Sequence, residues 1–375
     1  MIYVITCTCA FGLESELKYE IKKLGYSIYK SEDGQVSIQG ELKDIAVLNV
    51  WLRCANHVLI EVASGKTESF DELFELAKNT PWEEFLPKDA RFDVTKISCV
   101  RSRLFSKSDC QRIIKKAVVD RLKEHYKIQT LSEEGAYYPI YASIKHDNAR
   151  MYLDTSGDSL HKRGYRTEAG GAPLKETLAA GILMLSRYHS DHEFADFMCG
   201  SGTIVIEAGM MAANIAPGLN RSFAFEAWDN SIPDIISDIK AAAIDSITEP
   251  PCRLLGSDIN ENVVYHARQN AKRGGVENIC FFQKADMRDF RSKKKNGIIV
   301  VNPPYGERIG RDKSTVQLYT DMRKVWEDLD GWTIAVLCGN PDFQRYFGIK
   351  ADRNRKLYNG NLLSYLYMYY PTNKQ

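Results

Sequence analysis

Alternating apolar and polar residues over Met1–Thr6 predict a strand, and the pattern over Gly12–Lys23 predicts a helix. Gln35–Gln39 reads as a second strand and Ile45–Trp51 as a second helix. That order predicts a small α+β unit. A second unit follows, with helices over 71–78 and 109–124 and strands over 92–100 and 139–144. From near residue 155, strand–helix alternation continues to residue 338 and predicts a doubly wound, mostly parallel sheet. Leu174, Leu178, Ile182 and Leu185 line one apolar helix face there, and Pro173 suits that helix's first turn. A strand over Gly331–Cys338 and a Tyr-rich final strand over Leu362–Tyr370 complete the sheet. Residues 212–252 make a long excursion. Its helical pattern, Pro233–Ser246, is expected to help build a substrate wall. There is no internal repeat and no low-complexity segment.

Chemistry gathers where the apolar runs stop. Gly297–Val301 reads as a buried strand that ends abruptly in Asn302-Pro303-Pro304-Tyr305. In an open parallel sheet, ligands bind beyond the carboxyl ends of the strands. Two prolines remove two backbone donors and stiffen the turn, so their carbonyls can face a substrate. An Asn side-chain oxygen beside such a carbonyl gives two acceptors suited to an NH2 group. A following Tyr can stack on a planar ring. The same string also reads as a plain strand-ending loop with an Asn turn. Upstream, Phe194–Thr203 is an apolar strand running into the small-residue loop Cys199-Gly200-Ser201-Gly202, with a helix from Ile204. Glycines let a ligand approach the backbone, and a loop before a helix presents free N–H groups. This is neither the dinucleotide fingerprint nor a phosphate loop. Two further strand ends carry an acid, Asp258 and Asp286. The first suits a ribose diol and the second an adenine amine. Taken singly, each also reads as a helix N-cap. The succession of glycine loop, Asp258, Asp286 and Asn302 at strand ends is what points to one ligand site.

These strings resemble class I S-adenosylmethionine-dependent methyltransferases that carry an Asn-Pro-Pro-Tyr amine-methylation motif. Residues 196–203, 302–308 and 172–180 narrow the resemblance. They are similar to the THUMP-containing ribosomal RNA guanine-N2 methyltransferases, related to the N-terminal half of the bacterial large-subunit methyltransferase K/L. Nearly the whole chain is covered. Phe197 stands where that family usually has Pro, with a small effect expected. The resemblance implies a ferredoxin-like α+β unit at 1–60, a THUMP RNA-binding unit at 61–154, and a Rossmann-like class I methyltransferase domain at 155–375 whose last strand is antiparallel. It implies S-adenosyl-L-methionine as cofactor and no metal. The cofactor contacts it implies are Ala172, Pro173, Leu174, Asp196, Cys199, Gly200, Ser201, Gly202, Thr203, Asp258, Ile259, Asp286, Met287 and Asn302. Asn302, Pro303, Pro304 and Tyr305 are implied to act on the substrate. The preferred substrate is a guanine of 23S rRNA or of a ribosome assembly precursor, and only the resemblance chooses it. An adenine amine on RNA or DNA, a tRNA guanine and a protein glutamine amide satisfy the same acceptor logic. An RNA-binding module without catalysis is a further class, opposed by the intact Gly200-Ser201-Gly202, Asp258 and Asn302.

Composition changes this picture little. The 375 residues include 44% hydrophobic ones, enough for more than one core. Nine Cys without a Cys-x-x-Cys pair favour reduced, cytoplasmic thiols over disulfides or zinc. Cys7 and Cys9 most simply belong to the first strand. The N-terminus has no basic leader and no cleavage site, and no apolar run reaches about eighteen residues, so neither secretion nor a membrane span is expected. A net charge of +1 argues against a uniformly basic nucleic-acid binder. Locally, residues 88–127 hold twelve Lys/Arg against five Asp/Glu, and 161–166 form a second basic cluster. Arg101, Arg103, Lys107, Lys162, Arg163 and Arg166 are the candidate RNA contacts. The lysines of the helix over 109–124 read equally well as a solvated face.

Overall fold

The computed structural model describes residues 1–166, 174–304, 313–360 and 362–371. These form two seven-stranded sheets. The first is built from β1 (Tyr3–Cys9), α1 (Glu14–Lys23), β2 (Lys30–Glu32), β3 (Gln35–Gly40), α2 (Leu42–Trp51), β4 (Ala55–Lys66), α3 (Phe70–Asn79), β5 (Arg91–Val100), α4 (Lys107–Tyr126), β6 (Tyr137–Lys145) and β7 (Asn148–Asp154). Its spatial order is β2-β3-β1-β4-β7-β6-β5. One apolar row, Ile38-Ile5-Ile60-Leu153-Ile140-Val94, crosses six of these strands in register. Because side chains alternate along a strand, this row puts one face of the whole sheet into a single core.

Three strands escape the alternation pattern for identifiable reasons. β4 is twelve residues long, but a bulge between Glu61 and Ala63 shifts its register and breaks the period. It pairs with β1 on one side and β7 on the other, so the sheet is continuous across residue 60. β7 follows a two-residue turn, His146-Asp147, in which both residues have positive φ (51° and 59°). Such turns normally advertise themselves with Asn-Gly or Asp-Gly, and this one does not. The third, over Arg353–Asn359 in the second sheet, is an exposed edge strand with a charged sequence.

The second sheet contains α5 (Glu176–Leu185), β8 (Phe194–Asp196), α6 (Thr203–Ala212), α7 (Ile232–Asp245), β9 (Leu254–Asp258), α8 (Glu261–Arg273), β10 (Cys280–Lys284), β11 (Ile298–Val301), α9 (Lys313–Glu327), β12 (Thr333–Cys338), α10 (Phe343–Phe347), β13 (Arg353–Asn359) and β14 (Leu362–Tyr369). The order is β10-β9-β8-β11-β12-β14-β13. The first five run parallel, and β14 lies antiparallel between β12 and β13. From β8 the chain first builds one side, β9 then β10, and afterwards crosses to β11 and β12. The switch point between β8 and β11 is where open α/β sheets bind ligands.

The two sheets are tied by buried polar contacts. Arg53 donates through Nη2 to the Ile215 carbonyl at 2.8 Å, while the Glu20 carboxylate accepts from the amides of Arg53 and Cys54, each at 2.9 Å. Gly218 N donates to the Val50 carbonyl at 2.9 Å. An added Cβ at Gly218 would lie 2.6 Å from the Val50 Cα, so glycine is required for this approach. The excursion over 212–252 therefore docks on the first sheet's side, with α7 packed against α2. Its described packing is thus on the first sheet's helices, where the sequence pattern suggested a substrate wall. All nine cysteines are unpaired.

Candidate active site

β8 ends at Asp196, and the chain turns through 197–202 into α6. Gly202 caps that helix at φ +87°. A Cβ there would stand 3.0 Å from Ala267 Cβ and from the Phe282 ring, so this glycine serves packing. Gly200, at φ +51°, is different: a Cβ on it would meet nothing within 4 Å. Its backbone opens into free space. The loop is held from the opposite side. Asp258 accepts from Gly200 N and from Asn260 N, each at 3.0 Å. Cys199 N donates to the Ser257 carbonyl at 3.0 Å. Buried Asn270 on α8 donates to the Ser201 carbonyl at 3.0 Å. Sequence reading missed Asn270. Its signal is a polar residue on the face of α8 that buries Val264, Ala267 and Ala271. Thr203 and Cys199 are both buried, and Phe197 packs into the core near Phe290.

Four acids or amides were expected at strand ends. Asp196 is 2% exposed and accepts from Met198 N at 3.0 Å. Burial, reinforced by the nearby Asp258 charge, pushes its carboxyl up to about 8. Asp258 grips the glycine loop as described. Asp286 instead caps the short turn at Met287–Asp289 and is ion-paired with Arg288, whose guanidinium draws its carboxyl down to about 2. For Asp286 the N-cap reading thus describes its contacts. Met287 is buried, while neighbouring Ile259 is 69% exposed, an unusual apolar surface at the end of β9.

Asn302 follows β11 directly. Its Oδ1 is buried and has no hydrogen-bond partner among the described residues. Pro303 is buried and Pro304 exposed. Tyr305, Ala172 and Pro173 lie outside the described residues. Leu174 is buried in the core, and its carbonyl accepts from Arg166 Nη2 at 3.1 Å.

The strands β9-β8-β11 therefore bring Asp258, Asp196, the glycine loop and Asn302 to one edge. An open backbone cradle, an acidic acceptor and an exposed apolar side chain fit the amino-acid and adenosine ends of S-adenosylmethionine.

Several expected RNA contacts are corrected. Arg163 is 3% exposed; its guanidinium donates to the carbonyls of Leu160 and Arg53 and lies 3.6 Å from Glu207. Arg166 donates to Thr203 Oγ1 at 2.7 Å and pairs with Glu176 at 3.1 Å, behind the glycine loop. Arg163 is therefore closed to a phosphate, and Arg166 is engaged by internal partners. Arg103 and Lys162 are exposed but ion-paired, with Glu68 and Asp158 respectively. Arg101 and Lys107 are exposed at the β5–α4 connection.

The raised carboxyl of Asp196 has a measurable consequence. A folded pKa above the usual carboxylate value means the native state holds a proton that the unfolded chain loses. Stability then falls as pH rises through the window from about 4 to 8. Burial also raises Glu176, to about 7, which adds a slope of the same sign. Asp196→Asn is expected to flatten part of the decline in Tm between pH 5 and 8.5 in cofactor-free protein. Parallel curves for the two proteins would show that Asp196 ionises normally.

The sheet order and this edge define a class I S-adenosylmethionine-dependent methyltransferase. A family profile described as "RMKL-like, methyltransferase domain" matches residues 163–367, after an "RlmL ferredoxin-like domain" at 4–59 and a "THUMP domain" at 67–154. The chain belongs to this RMKL-like methyltransferase family. It is 40% identical over 371 residues to the "Putative RNA methyltransferase YpsC" of Bacillus subtilis (strain 168), covering 98% of this chain and 96% of that protein. It is 33% identical to the "Ribosomal RNA large subunit methyltransferase K/L" of Psychromonas ingrahamii, covering 94% of this chain but 48% of that protein. The chain thus spans about half the length of the K/L relatives it matches. The crystal structure of "SMU.472, a putative methyltransferase complexed with SAH" superposes with a TM-score of 0.92 at 37% identity, covering 100% of this chain and 99% of that one.

Proposed function

We propose that the chain methylates the exocyclic N2 amine of a guanine in large-subunit ribosomal RNA. The observation that carries this reading is the buried Oδ1 of Asn302 at the ligand-binding edge, without a hydrogen-bond partner among the described residues. A buried acceptor without a donor is costly, and a substrate N–H relieves that cost. The Pro303 carbonyl is the neighbouring acceptor. Together they draw electron density toward an amine nitrogen whose lone pair is otherwise delocalised into the base. They also aim that lone pair. Bound S-adenosylmethionine supplies an electrophilic methyl group. Asp258 accepts from the ribose hydroxyls, Asp196 faces the amino-acid end, and Tyr305 stacks on a base that has left its helix. Orientation supplies much of the remaining barrier reduction. RNA is supported by the names of the Bacillus subtilis and K/L relatives and by the THUMP unit. Guanine and the large subunit follow from the resemblance to K/L enzymes, and a cytoplasmic location follows from that substrate. Among the described residues no helix is long and apolar enough to cross a membrane.

Asp258→Ala removes both the proposed ribose acceptor and the clamp on Gly200. A hydrogen bond to a charged group is worth about 1.5–3 kcal/mol. Cofactor affinity should therefore fall roughly ten- to a hundred-fold by calorimetry. Unchanged affinity in a folded variant would remove Asp258 from the site. The substrate itself is tested by nucleoside mass spectrometry of ribosomal RNA from a deletion strain, with and without complementation. Loss of N2-methylguanosine from large-subunit RNA is expected. Loss of N6-methyladenosine instead would establish the adenine reading.

A further inference from the structure

The hairpin of β13 and β14 rises beside the catalytic edge. Across the sheet, Val301 lies opposite Val336, Val336 opposite Tyr367, and Tyr367 opposite Asn354. Asn302 is therefore level with Arg355. Tyr358 stands three residues further out (about 10 Å) and three strand spacings aside (about 14 Å). There it meets Phe11 from the loop between β1 and α1, edge to face, with ring centroids 6.0 Å apart. The pair is built jointly by both halves of the chain. Gly12, at φ +95°, permits the approach, because a Cβ there would lie 2.5 Å from the Lys356 carbonyl oxygen.

Phe11 is 47% exposed and Leu362, next to the hairpin turn, 48%. Lys356 Nζ lies 5.6 Å from the Tyr358 ring centroid. Residues 343–360 hold five Lys/Arg against one Asp in a chain that is nearly neutral overall. Of these, Arg353, Arg355 and Lys356 are exposed along β13. Charge on an edge strand guards against sheet-to-sheet aggregation, which alone would explain the basic row. It does not explain an exposed Phe11 ring on a half-buried Tyr358 and an exposed Leu at the same tip.

We propose that the Phe11–Tyr358 pair is a stacking platform for a base of single-stranded RNA beside the target nucleotide, with Arg353, Arg355 and Lys356 meeting its phosphates. This rests on the RNA reading above. Aromatic side chains hold single strands without base preference, since every base offers a flat face. A platform shared by the first sheet's β1–α1 loop and the catalytic hairpin would bind the strand only when both are in place.

The probes are ribosomal RNA from a deletion strain for methyl transfer, and a fluorescent twelve-nucleotide single-stranded RNA for binding. Phe11→Ala and Tyr358→Ala should each raise KM for the ribosomal RNA about tenfold and weaken oligonucleotide binding similarly. Both should leave kcat, affinity for S-adenosylhomocysteine and Tm near wild type. The double variant should be little worse than either single one, because both rings serve one base. Tyr358→Phe should behave as wild type. Lys356→Glu should lower the salt dependence of binding by about one unit of slope. Unchanged KM and binding in the two folded alanine variants would overturn the platform, as would a loss confined to kcat. If the wild-type protein methylates no RNA, the functional reading falls and the platform with it. If it methylates RNA and the variants match it, only the platform falls.

Discussion

Asn302→Ala is expected to slow methyl transfer by about 2–4 kcal/mol in the barrier, the scale of losing one preorganised acceptor or donor at a reacting centre. Affinity for S-adenosylmethionine should stay within about twofold, because the proposed partner of the side-chain oxygen is the substrate amine and not the cofactor. The expectation rests on Oδ1 being buried and without a hydrogen-bond partner among the described residues. Among the described residues, no internal bond to this oxygen has to break when the amine arrives. Asn302→Asp keeps an acceptor oxygen and should lose less than the alanine variant. Single-turnover rates with saturating cofactor separate these outcomes from product release. Near-normal single-turnover rates in Asn302→Ala would sink the amine-activation argument.

The second large effect is on stability. Glu207 on α6 is fully buried, accepts from the Tyr165 hydroxyl at 3.1 Å, and lies 3.6 Å from buried Arg163. Arg53, also buried, feels the same carboxylate. Removing one partner of a buried pair leaves an uncompensated charge, which costs about 3–5 kcal/mol. Glu207→Ala should lower stability by that amount in thermal or denaturant unfolding. A Tm equal to wild type would show that the two arginines are compensated elsewhere. Arg163 variants would disturb this buried junction first, not a phosphate contact. Their RNA affinity would fall because the junction beneath loosens.

What could be read from the sequence was local. The glycine loop, Asp258 and Asn302 each sit within a residue or two of an apolar run, and their chemistry depends on the backbone next to them. Arg163 and Arg166 were misread for the complementary reason. A run of basic residues gives no sign of burial when its partners, Glu207 and Glu176, lie far along the chain or beyond the next turn. β4 was hidden by its bulge and β7 by an unsignalled turn. β13 was hidden by the charge that an exposed edge carries. The excursion at 212–252 was recognised as helical, but its docking face on α2 depends on Gly218 meeting Val50, which no local pattern encodes.

β4 also decides how the protein can come apart. Strands on either side of it belong to units that family profiles recognise separately, yet β1 pairs with its residues 55–60 and β7 with 59–66, so Leu59 and Ile60 are flanked on both sides. Neither unit can shed β4 without leaving the other an open edge. The seven strands form one continuous ladder through β4, and residue 60 is a poor place to cut the chain. Two modules joined by a linker could drift apart and re-engage independently; modules sharing a strand lose that freedom.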